Sequence, residues 1–121
     1  LNFVIQRNHY LIMKYIINNI GFNTKVEIKA YYRQIFESYK RGEILSREDH
    51  IAIFHLLRWH PEYEEKAEKP IKHIKVDVKE HEGFWTNNAF WLVHHDDTET
   101  SFSYPTCVTA IKPHKITSDV F

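Results

Sequence analysis

Ile71-Lys72-His73-Ile74-Lys75-Val76-Asp77-Val78-Lys79 is the stretch where the hydrophobic period of this chain becomes two. Ile74, Val76 and Val78 fall on one side and Lys75, Asp77 and Lys79 on the other, as in a strand with one buried face. A sheet therefore begins at Ile71. Gly83 to Asn88 reads as a loop, and Ala89 to His95, rich in aromatic and branched residues, as a second strand. Thr98 to Tyr104 returns as a third, with Phe102 and Tyr104 on one side and Pro105 ending it. Between the last two, Asp96-Asp97 forms a tight turn whose second residue is expected at positive φ, a position that prefers glycine.

Upstream of Ile71 the period is helical. Thr24 offers an N-cap and Glu27 its reciprocal partner, opening a helix that runs to about Lys40 and stops before Gly42. Its core face is Ile28, Tyr31, Tyr32, Ile35, Phe36 and Tyr39. Ser46 and Asp49 cap a second helix, carrying Ile53, Phe54, Leu56 and Leu57, which Pro61 prevents from continuing. Ile5 to Ile20 carries apolar residues at Leu11, Ile12, Tyr15, Ile16 and Ile20 and ends at Gly21, which predicts a short N-terminal helix. The expected fold class is α+β, with two to three helices packed on one face of a small three-stranded antiparallel sheet. Residues 1–20 read as a helical extension, 21–112 as the domain and 113–121 as a tail or contact arm.

A chain of 121 residues, 43% hydrophobic and 26% charged, suits one domain with one core. No apolar run approaches the roughly 18 residues that a membrane span needs. Beginning at Leu1, the chain reads as a processed product or a piece of something longer. One cysteine, Cys107, rules out an internal disulfide and a cysteine-bound zinc within one chain, and it fits an intracellular, reducing compartment or simply a fold that needs no disulfides. Net charge is zero but uneven. Residues 1–60 hold nine Lys/Arg against five Asp/Glu, and 61–121 hold seven against eleven, which permits a basic face for an anionic partner.

Two features suggest what that partner is. Lys25, Lys29, Arg33 and Lys40 fall within about 80° of one another on the first capped helix, a stripe able to follow a phosphate backbone. Lys75 adds charge from the first strand. Trp85, Phe90, Trp91, Phe102 and Tyr104 gather in the loop and hairpin, and exposed rings beside lysines are how many modules stack single-stranded bases. Alternation sends Phe90 and Leu92 toward the helices and leaves Trp91 facing out, so Trp85 and Trp91 are the candidate stacking rings.

The clustered histidines and acids suggest less. His94 and His95 are neighbours on a strand and point to opposite faces, so His94-His95-Asp96-Asp97 chelates one ion only if the strand bulges. His60 before Pro61 reads as a helix terminus, and Cys107 as a buried small thiol. No spacing calls for a metal or other cofactor, and no nucleophile has a specified activating partner.

The run Phe22-Asn23-Thr24-Lys25, the stretch Gly42 to Asp49, Leu56-Leu57, His60-Pro61 and Lys66 carry a resemblance, continued by Ile71 to Val78, Phe90-Trp91-Leu92-Val93, Asp96-Asp97-Thr98, Phe102-Ser103-Tyr104 and Cys107. In order and spacing these resemble the DCL family, named for the plant "defective chloroplasts and leaves" protein, over about residues 20 to 111. The chain departs from that pattern at Asp96-Asp97, where the family usually has Asp-Gly, at His94-His95, and at Ala67 to Pro70. The resemblance implies an RNA-linked or transcription-linked role, in plants the maturation of plastid ribosomal RNA, and it supplies no catalytic residues. The resulting expectation is a non-catalytic, RNA-binding or RNA-processing accessory module using Lys25, Lys29, Arg33, Lys75, Trp85 and Trp91. One alternative is a domain docking on RNA polymerase, a ribosome or a nuclease through the aromatic sheet face. Another is a small metal-dependent nuclease using His81, His94 and Asp96.

Overall fold

Asn18 and Asn19 adopt φ of 51° and 62°, left-handed values that asparagine tolerates better than most residues and that a two-residue type I′ hairpin requires at both positions. They join β1 (Tyr15–Ile17) to β2 (Ile20–Phe22), paired antiparallel with Tyr15 opposite Phe22. The computed structural model describes residues 13–83 and 86–114. Within them the predicted N-terminal helix is replaced by this hairpin, and its first part, residues 1–12, lies outside the described residues. The reason is the density of apolar residues. Tyr15-Ile16-Ile17 satisfies a helical and a strand template alike, and Asn-Asn decides for the hairpin. Tyr15, Ile17 and Phe22 enter the main core. Gly21 permits close approach instead of stopping a helix, since a Cβ there would stand 2.5 Å from Met13 Cγ.

The two capped helices form as the sequence indicates. Thr24 accepts from the Glu27 N–H at 3.2 Å while Glu27 accepts from the Thr24 N–H at 3.1 Å, opening α1 (Lys25–Glu37). Ser46 accepts from the Asp49 N–H and opens α2 (Arg47–Leu57). A short α3 (Tyr63–Lys66) occupies the charged segment before the sheet.

The main sheet has the order β3 (Ile71–Glu80), β4 (Thr86–His94), β5 (Glu99–Phe102), all antiparallel. The free edge of β3 is closed by the loop after α1, where Gly42 and Leu45 donate to Val76 and Ile74 and Glu43 accepts from Val76. Such covering protects a strand edge from pairing with other chains. β5 is shorter than predicted, because Ser103 caps α4 (Tyr104–Ala110), with Pro105 in its first turn. Proline in the first turn of a helix is tolerated because the N–H it lacks has no partner there.

Ile28 and Tyr32 of α1, Ile53, Leu56 and Leu57 of α2 and Cys107 of α4 pack with Ile74, Val76, Phe90 and Leu92 from one face of the sheet. The α+β class and the helices over a three-stranded antiparallel sheet are as expected. Four helices and a second, two-stranded sheet among the described residues add detail that the sequence reading lacked.

Candidate functional site

The predicted binding residues lie on two sides of the sheet. Phe36 of α1 packs edge-on against Phe90, with ring centroids 5.0 Å apart, which puts α1 on the core side. Phe90 points inward, so its neighbour Trp91 points outward, directly opposite Lys75 on β3 and Ser101 on β5. Lys75 and Trp91 thus share a face, while Lys25, Lys29 and Arg33 belong to the helical layer behind it. Trp85 lies outside the described residues.

Local pairing further divides the basic stripe. Lys25 donates to the Thr109 carbonyl at 2.5 Å and so ties α1 to the end of α4. Arg33 pairs with Glu37 one turn on, at 3.0 Å, and Lys29 is exposed. Lys40 lies beyond the end of α1. On the open face, Lys75 sits between Asp77 and Glu99 at 3.1 and 3.2 Å; the two carboxylates outweigh the cost of partial burial and raise its pKa. Trp91 is half-buried there, and its Nε1 donor has no hydrogen-bond partner.

His94 is 2% exposed, and both ring nitrogens are engaged. A carbonyl can only accept, so Nδ1 donates to the Lys69 carbonyl at 3.0 Å; Nε2 meets the Thr100 hydroxyl at 2.9 Å. Asp96 accepts from the Thr98 N–H and hydroxyl and from Lys69, contacts that hold its pKa well below the usual carboxylate range. The turn itself is a three-residue loop: His94 donates to Thr98, Asp97 donates to His94, and Asp97 takes φ 69°. Among the described residues no group of three His, Cys, Asp or Glu side chains is placed to hold a metal. His60 Nδ1 accepts from the Glu62 N–H at 2.9 Å, so this ring closes the turn into α3 and does not bind terminal carbonyls of α2. Cys107 is fully buried, which pushes its thiol up to about 12.

The opposite end of β4 is built differently. The last β5 pairing is Phe102 with Phe90, so Thr86 to Ala89 run on without a β5 neighbour. The chain turns away at Ser103 into α4 and leaves a notch of about 350 Å³, lined by Phe36, Phe90, Phe102 and Tyr104 and by Lys79, His81, Asn87, Asn88 and Ser103. Its volume lies within the roughly 300–1,000 Å³ usual for ligand sites. Phe90 and Phe102, both buried, stack at 5.5 Å beneath it, and the partly exposed Tyr104 leans on Phe36 at 5.3 Å as a wall. Arg33 stands close enough to Tyr104 to favour its ionised form, although burial is the larger influence and raises the phenol pKa. Arg41 reaches the rim and donates to Asn88 Oδ1 at 2.7 Å. Sequence reasoning missed this notch because it depends on where β5 stops. The one local signal was Ser103-Tyr104-Pro105, a helix-opening pattern set inside a presumed strand.

A larger hollow of about 450 Å³ lies between the β1–β2 hairpin and α1. Its lining is mostly apolar, and its one carboxylate, Glu27, is committed to the α1 cap. It offers little to orient a ligand.

A small α+β domain with an aromatic, amide-rimmed notch at one sheet end is the class that this geometry defines. The chain belongs to the family described as protein of unknown function (DUF3223), whose model matches residues 33–108, a span containing the whole three-stranded sheet and the residues that line the notch. A solved structure of similar fold is the solution NMR structure of an uncharacterised protein from Rhodospirillum rubrum, 23% identical, with a TM-score of 0.68 over 78% of this chain and 88% of that one. This likeness concerns the fold alone. No curated protein matches the chain. The resemblance to the DCL family is corrected accordingly: the matching family is DUF3223, and neither comparison brings out a DCL protein. The segments that carried the resemblance are caps, turns and core strand, positions that fold stability constrains in any domain built this way.

Proposed function

We propose that this chain is a binding module for single-stranded RNA, without chemistry of its own, which takes one unstacked base into the notch between β4, β5 and α4. The observation that carries the reading is the notch itself: the partly exposed rings of Phe36 and Tyr104 beside a lysine, an arginine and two side-chain amides. Sequence-specific RNA recognition favours splayed bases stacked on aromatic rings, with cations on the backbone. Lys79 and Arg41 supply phosphate contacts at the rim, and Arg33 and Lys29 extend the path along α1. Lys25 and Lys75, engaged elsewhere, take no part.

Fluorescence anisotropy with a labelled single-stranded RNA tests this. Binding at low ionic strength that weakens as salt rises is expected, together with a loss for Tyr104→Ala or Lys79→Gln. No binding at low salt, or binding indifferent to both substitutions, would overturn it.

A second reading has its own support. The outward sheet face carries Trp91 with an unpartnered Nε1, near the register position of Ile44, which is 53% exposed and bridges to Lys75. A half-buried indole with a spare donor beside an exposed aliphatic suits a protein partner. A protein partner retained after nuclease treatment and lost in Trp91→Ala, with RNA affinity unchanged, would favour docking on that face.

A further inference from the structure

We infer that the open edge of β4 accepts an extended segment of a partner protein as an added strand, with an apolar side chain in the notch and acidic side chains on the outer face. The inference goes beyond the RNA reading and does not rest on it. Strand register carries it. On β3, Ile74 and Val76 turn their main-chain groups to the loop that closes that edge, where they bond to Leu45, Gly42 and Glu43. Alternation turns those of Lys75, Asp77 and Lys79 toward β4, against Trp91, Ala89 and Asn87. The intervening β4 residues Phe90, Asn88 and Thr86 turn theirs the other way, in phase with the bond from the His94 N–H to the Thr98 carbonyl. Phe90 meets Phe102 on that side. At Asn88 and Thr86 the neighbouring strand has ended, since Ser103 opens α4, and among the described residues no hydrogen bond reaches their main-chain N–H or C=O.

The sheet guards its other edges. The loop after α1 covers β3, and on β5 the outward Ser101 carbonyl accepts from Lys66 Nζ at 2.9 Å. An edge that keeps a donor and an acceptor side by side is complementary to another extended backbone, and strand addition to such an edge is a recurrent way to bind a peptide. Side chains then set the partner's chemistry. The residue opposite Asn88 projects to the side of Phe90, beside the partly exposed Phe36 and Tyr104, and is apolar. Its two neighbours project to the outer face, where Lys79 bonds the Ser101 hydroxyl and is in no ion pair among the described residues. Lys75 beside it is already matched by Asp77 and Glu99, so Lys79 is the cation that acidic residues meet. Peptide and RNA fill the same notch and exclude each other.

The test titrates the full chain with a fluorescein-labelled peptide of sequence EVEFEVE, read by anisotropy at low salt without RNA. Binding is expected, with amide hydrogen exchange slowed at Asn88 and Thr86 in the complex. The same peptide N-methylated at its phenylalanine keeps every side chain, loses a main-chain donor and binds about fivefold more weakly, the worth of one hydrogen bond. The charge-reversed KVKFKVK also binds more weakly, because Lys79 repels it. On the protein, Asn88→Pro removes a donor that β3 does not use, a place where a strand tolerates proline, and weakens EVEFEVE by a similar factor. A circular dichroism melt confirms that this variant folds. No binding up to about 1 mM peptide, equal binding of the N-methylated form, or protection that spares Asn88 and Thr86 would overturn the strand addition. Equal binding of EVEFEVE and KVKFKVK would overturn the acidic partner. RNA that fails to bind leaves this inference standing, and a peptide that fails to bind leaves the RNA reading standing.

Discussion

The two ends of β4 are opposites. At its C-terminal end, His94, Asp96, Asp97, Thr98 and Thr100 crowd around a turn, and most of their polar groups meet one another or a lysine. At its N-terminal end, Asn87 and Asn88 are half-engaged near the partly exposed rings of Phe36 and Tyr104. The end richer in titratable residues carries the finished structural network, and the end built of amides and rings keeps capacity in reserve. Chemical richness in a sequence is thus a poor guide to a site. Unspent hydrogen-bonding capacity beside a cavity is a better one, because a satisfied group has little to offer a ligand.

The contrast breaks most visibly at His94. His94→Ala removes a buried ring and strands the Lys69 carbonyl, so a destabilisation of about 3 kcal/mol is expected in urea unfolding. RNA affinity of the folded fraction stays unchanged. A cost near zero would mean that the turn end is not the locked end. At the other end the effects exchange places: Tyr104→Ala weakens RNA binding by about 1–3 kcal/mol, the usual worth of a stacked base, and costs less stability than His94→Ala because Tyr104 is only partly buried. A Tyr104 variant that melts like His94→Ala would erase the distinction.

This contrast was only partly legible beforehand. The caps at Thr24 and Ser46, the alternation after Ile71 and the inward Phe90 and Leu92 follow from local rules, and the structure obeys them. Tyr15 to Phe22 misled because a short, dense apolar run fits two periods at once. Lys25 and Lys75 are ordinary exposed-face lysines by pattern, yet Thr109, which engages Lys25, and Glu99, which engages Lys75 together with its near neighbour Asp77, are far away in sequence. The notch depends on the length difference between β4 and β5, which is a property of pairing and not of either strand alone.

Asp97 offers a smaller and opposite effect at the locked end. A non-glycine residue at φ 69° is strained, and the Asp97 pair with Lys72 is exposed, where such pairs are worth little. Asp97→Gly is expected to gain about 0.5–1 kcal/mol in urea unfolding. A loss instead would show that the Lys72 pair matters more than the backbone strain.

The smallest expected effect is a pH dependence, and it again separates structural histidines from the notch. Burial, and after it Lys66, lowers the His60 pKa, while burial followed by His73 lowers that of His50. A histidine whose folded pKa lies below its unfolded value contributes stability that is fully present above the unfolded value, near 6.5, and is lost as pH falls through the folded one. For His60 the cause is concrete: Nδ1 accepts the Glu62 N–H and cannot do so once protonated. The melting temperature should therefore decline slightly from pH 7.5 toward pH 5, and less steeply in His60→Gln, whose amide oxygen accepts at any pH. An equal decline in that variant would assign the dependence to other groups, with His50→Gln the next to measure.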